Sequence, residues 1–220
     1  MFFGKRTPKN IQISNQLSNI KITVDLCYRL TSTVGLATGD PAEDAWPVRY
    51  FAQTGFELFC AQSFSINFGL ADERVGNLTV ILKCVKKIAA VRSQFDCIVR
   101  SIYFSPPSRG ARIISYILQE DHLRHQWKEN LQILAARLSF VRRRLREELE
   151  EMEAPGKWTH ITDQVGLFCY TGLNECHVKH LIKHHHIYMY KSGALAVTGL
   201  TLNNVKYIAN GIKETLLSIR

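Results

Sequence analysis

The chain contains two patterns of apolar and polar positions, one that predicts strands and one that predicts helices. The segments "FELFCAQSF" (56–64) and "GNLTVILKC" (76–84) are short, nearly continuous apolar runs, which are typical of strands buried on both faces. The segment "KKIAAVRSQFDCIVRSIY" (86–103) follows them with a helical period. Strand, glycine-containing loop, strand and helix in this order indicate an α/β protein.

The pattern upstream of these strands is uneven. Residues 1–34 are rich in Asn and Ser and show no clear helix, with one possible strand at Ile20–Leu26. "GDPAEDAWPVRYFAQTG" (39–55) begins with turn residues and an acidic first turn and then carries an apolar stripe. We therefore predict a helix that stops at Gly55.

A long amphipathic helix is predicted over about residues 115–153, after a break at "FSPPSRGAR" (104–112). Its apolar stripe recurs at steps of three and four residues and consists of Leu123, Trp127, Leu131, Leu134, Leu138, Val141, Leu145 and Leu149. Ala154-Pro155-Gly156 ends it, and "NECHVKHLIKH" (helix), "IYMYKSGALAVTGL" (strand) and "NVKYIANGIKETLLSI" (helix) follow. This half is expected to form a compact α+β unit.

Composition places the chain among ordinary globular proteins, because 46% of its 220 residues are hydrophobic and 21% are charged. The six cysteines form no CxxC pair and lie mostly within apolar runs, as buried thiols of a reducing compartment do. No apolar run approaches the roughly 18–20 residues of a membrane helix, and no secretory signal follows the first residues. We expect a soluble, intracellular chain that does not engage a membrane.

The net charge of +9 raises the question of nucleic-acid binding. The basic residues are scattered, however, and the densest run, "RRRLREELEE" (142–151), carries its own acids. Arg142 and Arg143 precede Glu147 and Glu148 at helical distance, which predicts a salt-bridged, solvated face. We therefore expect no nucleic-acid partner.

Polar chemistry concentrates in "QSFSINFGLADERVGN" (62–77). Ser63 and Ser65 alternate with Phe64, so both hydroxyls face one side of an extended segment. If the loop folds back, Arg74 joins them, and two hydroxyls with a guanidinium suit a phosphate dianion. The alternative is an ordinary polar turn beside a strand.

A histidine cluster offers a second candidate. His177, His180 and His184 recur at i, i+3 and i+7 on a predicted helix that should end near Lys183, with Cys176 beside them. Three imidazoles on one face can hold zinc or nickel. We favour adventitious surface binding and predict no metal site.

The loop and its surroundings resemble a known family. "GFELFCAQSFSINFGLADERVGNLTV", "ATGDPAEDAWPVRYFAQTG", "GKWTHITDQVGLFCYTGLN" and "VTGLT" are similar to segments of the cytosolic-type aspartate aminotransferases, of the fold-type I pyridoxal-phosphate family. The similarity runs from about Gly35 to Arg220. It implies a partial fold-type I structure, with a fragment of the large-domain mixed sheet and the C-terminal α+β small domain. The implied domains are a non-family leader (1–34), a partial cofactor-loop domain (35–112), and the connecting helix with the small domain (113–220).

The resemblance implies roles for individual residues. Ser63, Ser65 and Arg74 fill the places that bind the phosphate of pyridoxal 5'-phosphate. Arg100 fills the place of the arginine that reaches across a dimer to the distal carboxylate of the substrate. The partners implied are dicarboxylic amino and keto acids and a second family subunit, as a homodimer or heterodimer, in the cytoplasm.

The chain also departs from the family pattern at the residues that carry its chemistry. Ile66 falls on the Schiff-base lysine, and a hydrocarbon neither condenses with an aldehyde nor moves a proton. We expect Ile66 to act as an apolar plug in that pocket. Ala194 falls on the arginine that grips the α-carboxylate, with Lys191 as a possible substitute cation, and Phe104 replaces a residue that helps seat the partner's phosphate.

Two further departures lie upstream: Leu30 and Thr33 stand where the family has the pyridine aspartate and a cofactor-bonding tyrosine. The family reaction converts L-aspartate and 2-oxoglutarate to oxaloacetate and L-glutamate, and these replacements predict that this chain does not catalyse it. The alternatives are a non-catalytic partner that pairs with an intact aminotransferase and donates Arg100, or a truncated product without a stable fold, since exposed strand edges promote aggregation.

Overall fold

The structure is a computed structural model that describes residues 34–219 together with the backbone of two strands, Ile11–Ile13 and Cys27–Thr31. The strand predicted at Ile20–Leu26 lies outside the described residues. Two compact units divide the chain. One contains the described residues up to Gly35 and Asp40–Asn130, and the other contains Leu36–Gly39 and the residues from Leu131 onward.

A four-stranded mixed sheet forms the centre of the first unit. Its strands are β1 (Ile11–Ile13), β2 (Cys27–Thr31), β3 (Leu58–Ser63) and β4 (Gly76–Ile81), in the order β1-β4-β3-β2. β3 is antiparallel to β4 and parallel to β2. The predicted strands at 56–64 and 76–84 are therefore confirmed, as is the mixed sheet.

Helices cover both faces of this sheet. The helices of the first unit are α1 (Pro41–Asp44), α2 (Trp46–Gln53), α3 (Ile88–Ile102) and α4 (Arg109–Gln119), with a 3-10 turn at Val85–Lys87. Phe95 of α3 packs on Ala61, Leu78 and Val80, whereas residues of α2 pack on the opposite face. Alternate side chains of β3 face each helix, which explains its nearly continuous apolar sequence.

The long predicted helix is in fact two helices. α5 (Asp121–Glu151) begins after Glu120, whose extended backbone (ψ 117°) separates it from α4. Neither proline nor glycine marks this break, so the prediction of one helix over 115–153 was wrong at its start. Leu134 is also exposed, and Ala135 takes its expected place in the buried stripe.

The second unit packs the C-terminal part of α5 with α6 (Thr159–Asp163), α7 (Glu175–His185) and α8 (Val205–Ser218). Its two-stranded sheet pairs β5 (Phe168–Tyr170) with β6 (Ala194–Ala196) in antiparallel register, and a 3-10 turn follows at Val197–Gly199. The predicted strand over 187–200 is thus shortened to β6, because a turn with left-handed Gly193 (φ 83°) interrupts it.

The boundary between the compact units falls between Asn130 and Leu131, inside α5. The domains proposed from the resemblance, with a boundary at residue 113, remain a prediction. In the part of the chain that the structure describes, no helix combines the length and the apolar character needed to cross a membrane.

Candidate functional site

The serine-containing loop connects β3 to β4 and is closed at its base. Ser63 lies opposite Gly76 in the register, and the Phe64 N–H donates to the Val75 carbonyl at 3.1 Å. A Cβ on Gly76 would lie 2.7 Å from the Gln62 carbonyl oxygen, closer than side chains tolerate. Glycine at this position therefore lets the two strands enter and leave the loop side by side.

Both serine hydroxyls lie on one side of the loop. Ser63 Oγ donates to Ser65 Oγ at 3.1 Å, and the Ser65 N–H donates to Ser63 Oγ at 3.2 Å. Both residues are half-buried. The loop thus brings together two of the three predicted phosphate-binding residues.

Arg74 lies at the other end of the loop, two residues before β4. The β3–β4 register ends at the pair Ser63–Gly76, so Ser65 and Arg74 both lie beyond the paired strands. Arg74 Nη1 donates to the Ala71 carbonyl at 3.4 Å, and the Arg74 side chain is exposed. No hydrogen bond joins Arg74 to either serine in the described structure, and its backbone adopts left-handed angles (φ 49°) that arginine seldom takes.

Ile66 does not plug a pocket, contrary to expectation, because 41% of its surface is exposed. The next residue, Asn67, is buried and anchors the loop instead. Its Nδ2 donates to the Val34 carbonyl at 3.3 Å, whereas its Oδ1 is buried without a partner among the described residues. Ile66 therefore projects from a fixed point of the loop towards solvent.

An aromatic group holds the far side of this loop. Phe68 stacks on Trp127 of α5 with ring centroids 4.6 Å apart, and Phe64 meets Phe68 edge-on. Trp127 Nε1 also donates to the Asn67 carbonyl at 2.7 Å. These contacts fix the loop without using either serine hydroxyl.

Leu30 lies on β2, level with Ala61 of the parallel strand β3. Carboxyl ends of parallel strands meet at one edge of a sheet, so Leu30 belongs to the edge from which the serine loop leaves. Thr33 lies outside the described residues.

Arg100 lies in the last turn of α3 and is exposed. It forms no ion pair with any residue that the structure describes. Four residues later, Phe104 is 79% exposed and takes left-handed angles (φ 63°), so the chain turns sharply just after the helix.

Ala194 belongs to the second unit, where it begins β6 opposite Tyr170. The Lys191 ammonium lies 3.9 Å from Glu175 Oε1, and Lys179 lies 3.0 Å from the same oxygen. The Lys179 hydrogen bond, with both lysine charges, lowers the pKa of Glu175. Lys191 thus already shares a carboxylate.

The histidines do not converge on a metal centre. His177 caps its own helix, since its Nδ1 accepts from the Asn174 N–H, and α7 continues to His185, beyond the predicted end at Lys183. His180 and His184 have ring centroids 4.4 Å apart, and His180 Nδ1 lies 3.0 Å from Thr215 Oγ1. Throughout the described residues, no set of three or more His, Cys, Asp or Glu could hold a metal ion.

The predicted ion pairs of Arg142 and Arg143 were assigned to the wrong arginines. Arg144 bonds Glu147 and Glu148, and Arg146 bonds Glu150. Arg142 is only 3% exposed because it lies four residues after Leu138, on the buried face of α5. That position within the apolar stripe was the signal in the sequence.

Arg142 ties α5 to the segment before and within β5. Its Nη2 donates to the carbonyls of Gly166 and Phe168, each at 2.7 Å, and Nη1 reaches the Ile161 carbonyl at 3.4 Å. Burial lowers the pKa of Arg142, and burial raises the pKa of the neighbouring Cys169 thiol, with the guanidinium opposing the latter shift.

The sheet, the serine loop and the helices that flank them define a class of protein. The chain matches the family described as "Aminotransferase class I and II" over residues 16–212. This chain belongs to that family. The match begins within residues 1–34, the segment expected to be a leader.

Comparison with individual relatives narrows the group. The cytoplasmic aspartate aminotransferase of Gallus gallus is 48% identical over 186 residues, which are 84% of this chain and 45% of that protein. Mitochondrial aspartate aminotransferases also occur among the relatives. The chain therefore resembles the aspartate aminotransferases, and it spans less than half the length of this relative.

Solved structures agree with the fold. A putative aspartate aminotransferase from Leishmania major Friedlin has a TM-score of 0.83 and 35% identity, covering 86% of this chain and 46% of that chain. An aromatic-amino-acid aminotransferase from Burkholderia pseudomallei, described as covalently bound to pyridoxal phosphate, has a TM-score of 0.82 and 31% identity, covering 86% of this chain and 47% of that chain. The predicted fold class, a partial aminotransferase fold, is confirmed.

Proposed function

We propose that this chain is a member of the aspartate aminotransferase group that keeps a phosphate-binding loop and does not catalyse transamination. The observation that carries the proposal is the sequence of the loop, in which Ile66 lies between the paired serines and the anchoring Asn67. In this interpretation the loop holds one end of pyridoxal 5'-phosphate and has no group for the other.

The donor set suits the phosphate end. Ser63 and Ser65 offer two hydroxyls 3.1 Å apart, and Arg74 belongs to the same loop, two residues before β4. Rotation of the Arg74 side chain away from the Ala71 carbonyl would add a guanidinium to the two hydroxyls. Hydrogen bonds to a charged group contribute about 1.5–3 kcal/mol each, enough for weak, non-covalent binding.

The aldehyde end has no partner at Ile66. Bound pyridoxal phosphate supplies an electron sink for reactions at the α-carbon of an amino acid, whereas the protein supplies the amine and the proton transfer. An exposed isoleucine side chain can do neither. Proton transfer by a positioned side chain is worth about 10²–10⁴-fold in rate, so we expect this chain to lack that contribution.

The residues expected to bind the substrate are also incomplete in this chain. Dicarboxylic amino and keto acids carry two carboxylates, and a guanidinium at each is the expected recognition. Arg100 is available on α3, but Ala194 presents a methyl group on β6. We propose that L-aspartate and 2-oxoglutarate, the substrates of the family reaction, bind poorly to this chain.

Cofactor binding is the direct test. Titration of the full chain with pyridoxal phosphate, followed by calorimetry, should give saturable binding that weakens about tenfold in Ser65→Ala, equivalent to the loss of one hydrogen bond to a charged group. Ser93→Ala, at an exposed position on α3, is the matched control. Equal affinity of the two variants would remove the loop from the proposal.

Activity tests the second part. The unaltered chain should convert no aspartate to oxaloacetate, and Ile66→Lys alone should recover little, because Ala194 still leaves the α-carboxylate without a cation. Ile66→Lys with Ala194→Arg is the paired variant. Turnover proportional to the concentration of the unaltered chain would refute the proposed inactivity.

A second candidate is pairing with an intact aminotransferase, as a heterodimer in the cytoplasm. The exposure of Arg100, without an acidic partner among the described residues, favours it. Co-purification with a full-length aminotransferase, followed by a rise in its KM for aspartate in Arg100→Gln and not in Arg92→Gln, would support donation of Arg100. A chain that remains monomeric beside the intact enzyme would exclude it.

A further inference from the structure

The second unit contains a cavity of about 170 Å³ beside Arg142. Leu36 and Leu138 form apolar parts of its wall, and Ser139, Arg142 and Arg143 contribute polar groups. A water molecule occupies about 30 Å³ in the liquid, so the cavity has room for a small polyatomic ion and some of its hydration.

The charge of this wall is not neutralised by acidic side chains. The nearby glutamates of α5 pair with Arg144 and Arg146 instead. Neither Arg142 nor Arg143 forms an ion pair with a residue in the described part of the chain. Carbonyl dipoles satisfy hydrogen bonds of Arg142 but add no negative charge, and a buried cation without a counter-charge is costly.

Other polar groups at the cavity are already committed. Gln164 Nε2 donates to the carbonyls of His160 and Tyr170, and its Oε1 accepts from the Tyr170 N–H. Thr162 Oγ1 donates to the Thr159 carbonyl and accepts from Arg146. Among the polar side chains that line the cavity, this leaves Arg143 and Ser139 to bond a ligand, while Arg142, whose Nη atoms bond carbonyls, contributes mainly its charge.

We propose that this cavity binds a small oxyanion, a phosphate or a short carboxylate, between the guanidinium groups of Arg142 and Arg143. Ser139 supplies a further donor. The anion provides the negative charge that the protein itself does not place beside Arg142. This site lies wholly within the second unit and is separate from the serine loop, which belongs to the first unit.

The test follows the Nε–Hε NMR signals of the arginines in the full chain. Inorganic phosphate and succinate are titrated separately, at constant ionic strength set with sodium chloride. We expect saturable shifts of the Arg142 and Arg143 signals, and the ligand that saturates them at the lower concentration identifies the class of anion. Absence of saturable shifts with both ligands would overturn the proposal and leave Arg142 as a purely structural tie.

Variants separate this cavity from the serine loop. Arg143→Gln should weaken anion binding about tenfold, the loss of one charge-assisted contact, whereas Lys206→Gln removes the same charge from an exposed position on α8. The double variant Ser63→Ala with Ser65→Ala removes both hydroxyls of the serine loop. It should leave the anion-induced shifts of the Arg142 and Arg143 NMR signals unchanged. Equal weakening by Arg143→Gln and Lys206→Gln would show general charge attraction and contradict a built site.

Discussion

The two compact units hold their irregular segments in different ways. In the first unit, the loop between β3 and β4 is fixed by rings, with Phe68 stacked on Trp127 and one hydrogen bond from the indole to a carbonyl. In the second, the segment before β5 is fixed by polar side chains. Arg142 donates to two of its carbonyls, and Gln164 bonds the backbone of Tyr170 in both directions.

The difference determines which groups remain for ligands. Aromatic packing and the Asn67 amide hold the first loop without engaging either serine, so Ser63 and Ser65 bond each other and can turn to a ligand. The polar network of the second segment uses most of its own donors in holding the chain. Only surplus charge, at Arg142 and Arg143, is left to act on another molecule.

The largest effect is expected from Arg142→Ala. The change removes the donor to the buried Gly166 carbonyl and to the part-buried Phe168 carbonyl and empties the space of a long side chain, so the free energy of unfolding should fall by about 3–5 kcal/mol. Urea denaturation measures it. Arg143→Ala, at the exposed neighbouring position, should change the free energy of unfolding by less than about 0.5 kcal/mol. Similar losses in both variants would show that the hydrogen bonds of Arg142 do not stabilise the segment before β5.

Gly193→Ala should come next. A Cβ there would lie 2.3 Å from the Leu173 carbonyl, at a backbone φ of 83°, so we expect a loss of about 2–4 kcal/mol from collision and conformational strain together. Gly172→Ala is the matched variant, because its φ is 82° and nothing lies within 4 Å of the added carbon. This variant should lose only about 1–2 kcal/mol of stability. Equal losses in the two variants would show that the whole effect comes from the backbone φ and none from the collision.

Trp127→Phe tests the contacts of the indole ring with the serine loop of the first unit. It keeps a ring for Phe68 to stack on and removes the donor to the Asn67 carbonyl, so a loss of about 1–2 kcal/mol is expected in thermal or urea unfolding. Trp46→Phe, at an exposed position, should be nearly neutral. A loss of stability as large as that of Arg142→Ala would show that the two units do not differ in how strongly these contacts hold their irregular segments.

The smallest effect concerns pH. Burial raises the pKa of Cys169, so the folded chain holds the thiol proton more tightly than the unfolded chain. This contribution is fully present below the ordinary thiol pKa of about 8.5 and is lost as pH rises through the raised value, by at most about 1.4 kcal/mol per pH unit. Cys169→Ala should flatten the alkaline fall in stability, whereas Cys176→Ala, an exposed thiol, should leave it unchanged.

Regular elements were largely predictable from the sequence. The periodicity of 86–103 and 204–219 located α3 and α8, and the apolar runs located β3 and β4. Glu120 breaks the helical pattern through its backbone alone, without a residue type that announces it. A sequence read without packing therefore joins α4 and α5.

Side-chain partners were harder to predict. The three consecutive arginines at 142–144 look alike in sequence, and only the facing of α5 decides that Arg142 is buried while Arg144 binds glutamates. Ile66 was expected to plug a pocket because the resemblance puts it at the Schiff-base lysine, yet 41% of its surface is exposed beside the anchored Asn67. Position within the loop, which the sequence does not state, decides its exposure.

At Arg74, the charge that the side chain offers and the conformational preference of the backbone favour different residue types. The left-handed angles of Arg74 suit glycine and cost an L-residue roughly 1–2 kcal/mol. Selection for stability alone would therefore favour glycine there, and a more stable chain obtained that way would have given up the arginine of the serine loop.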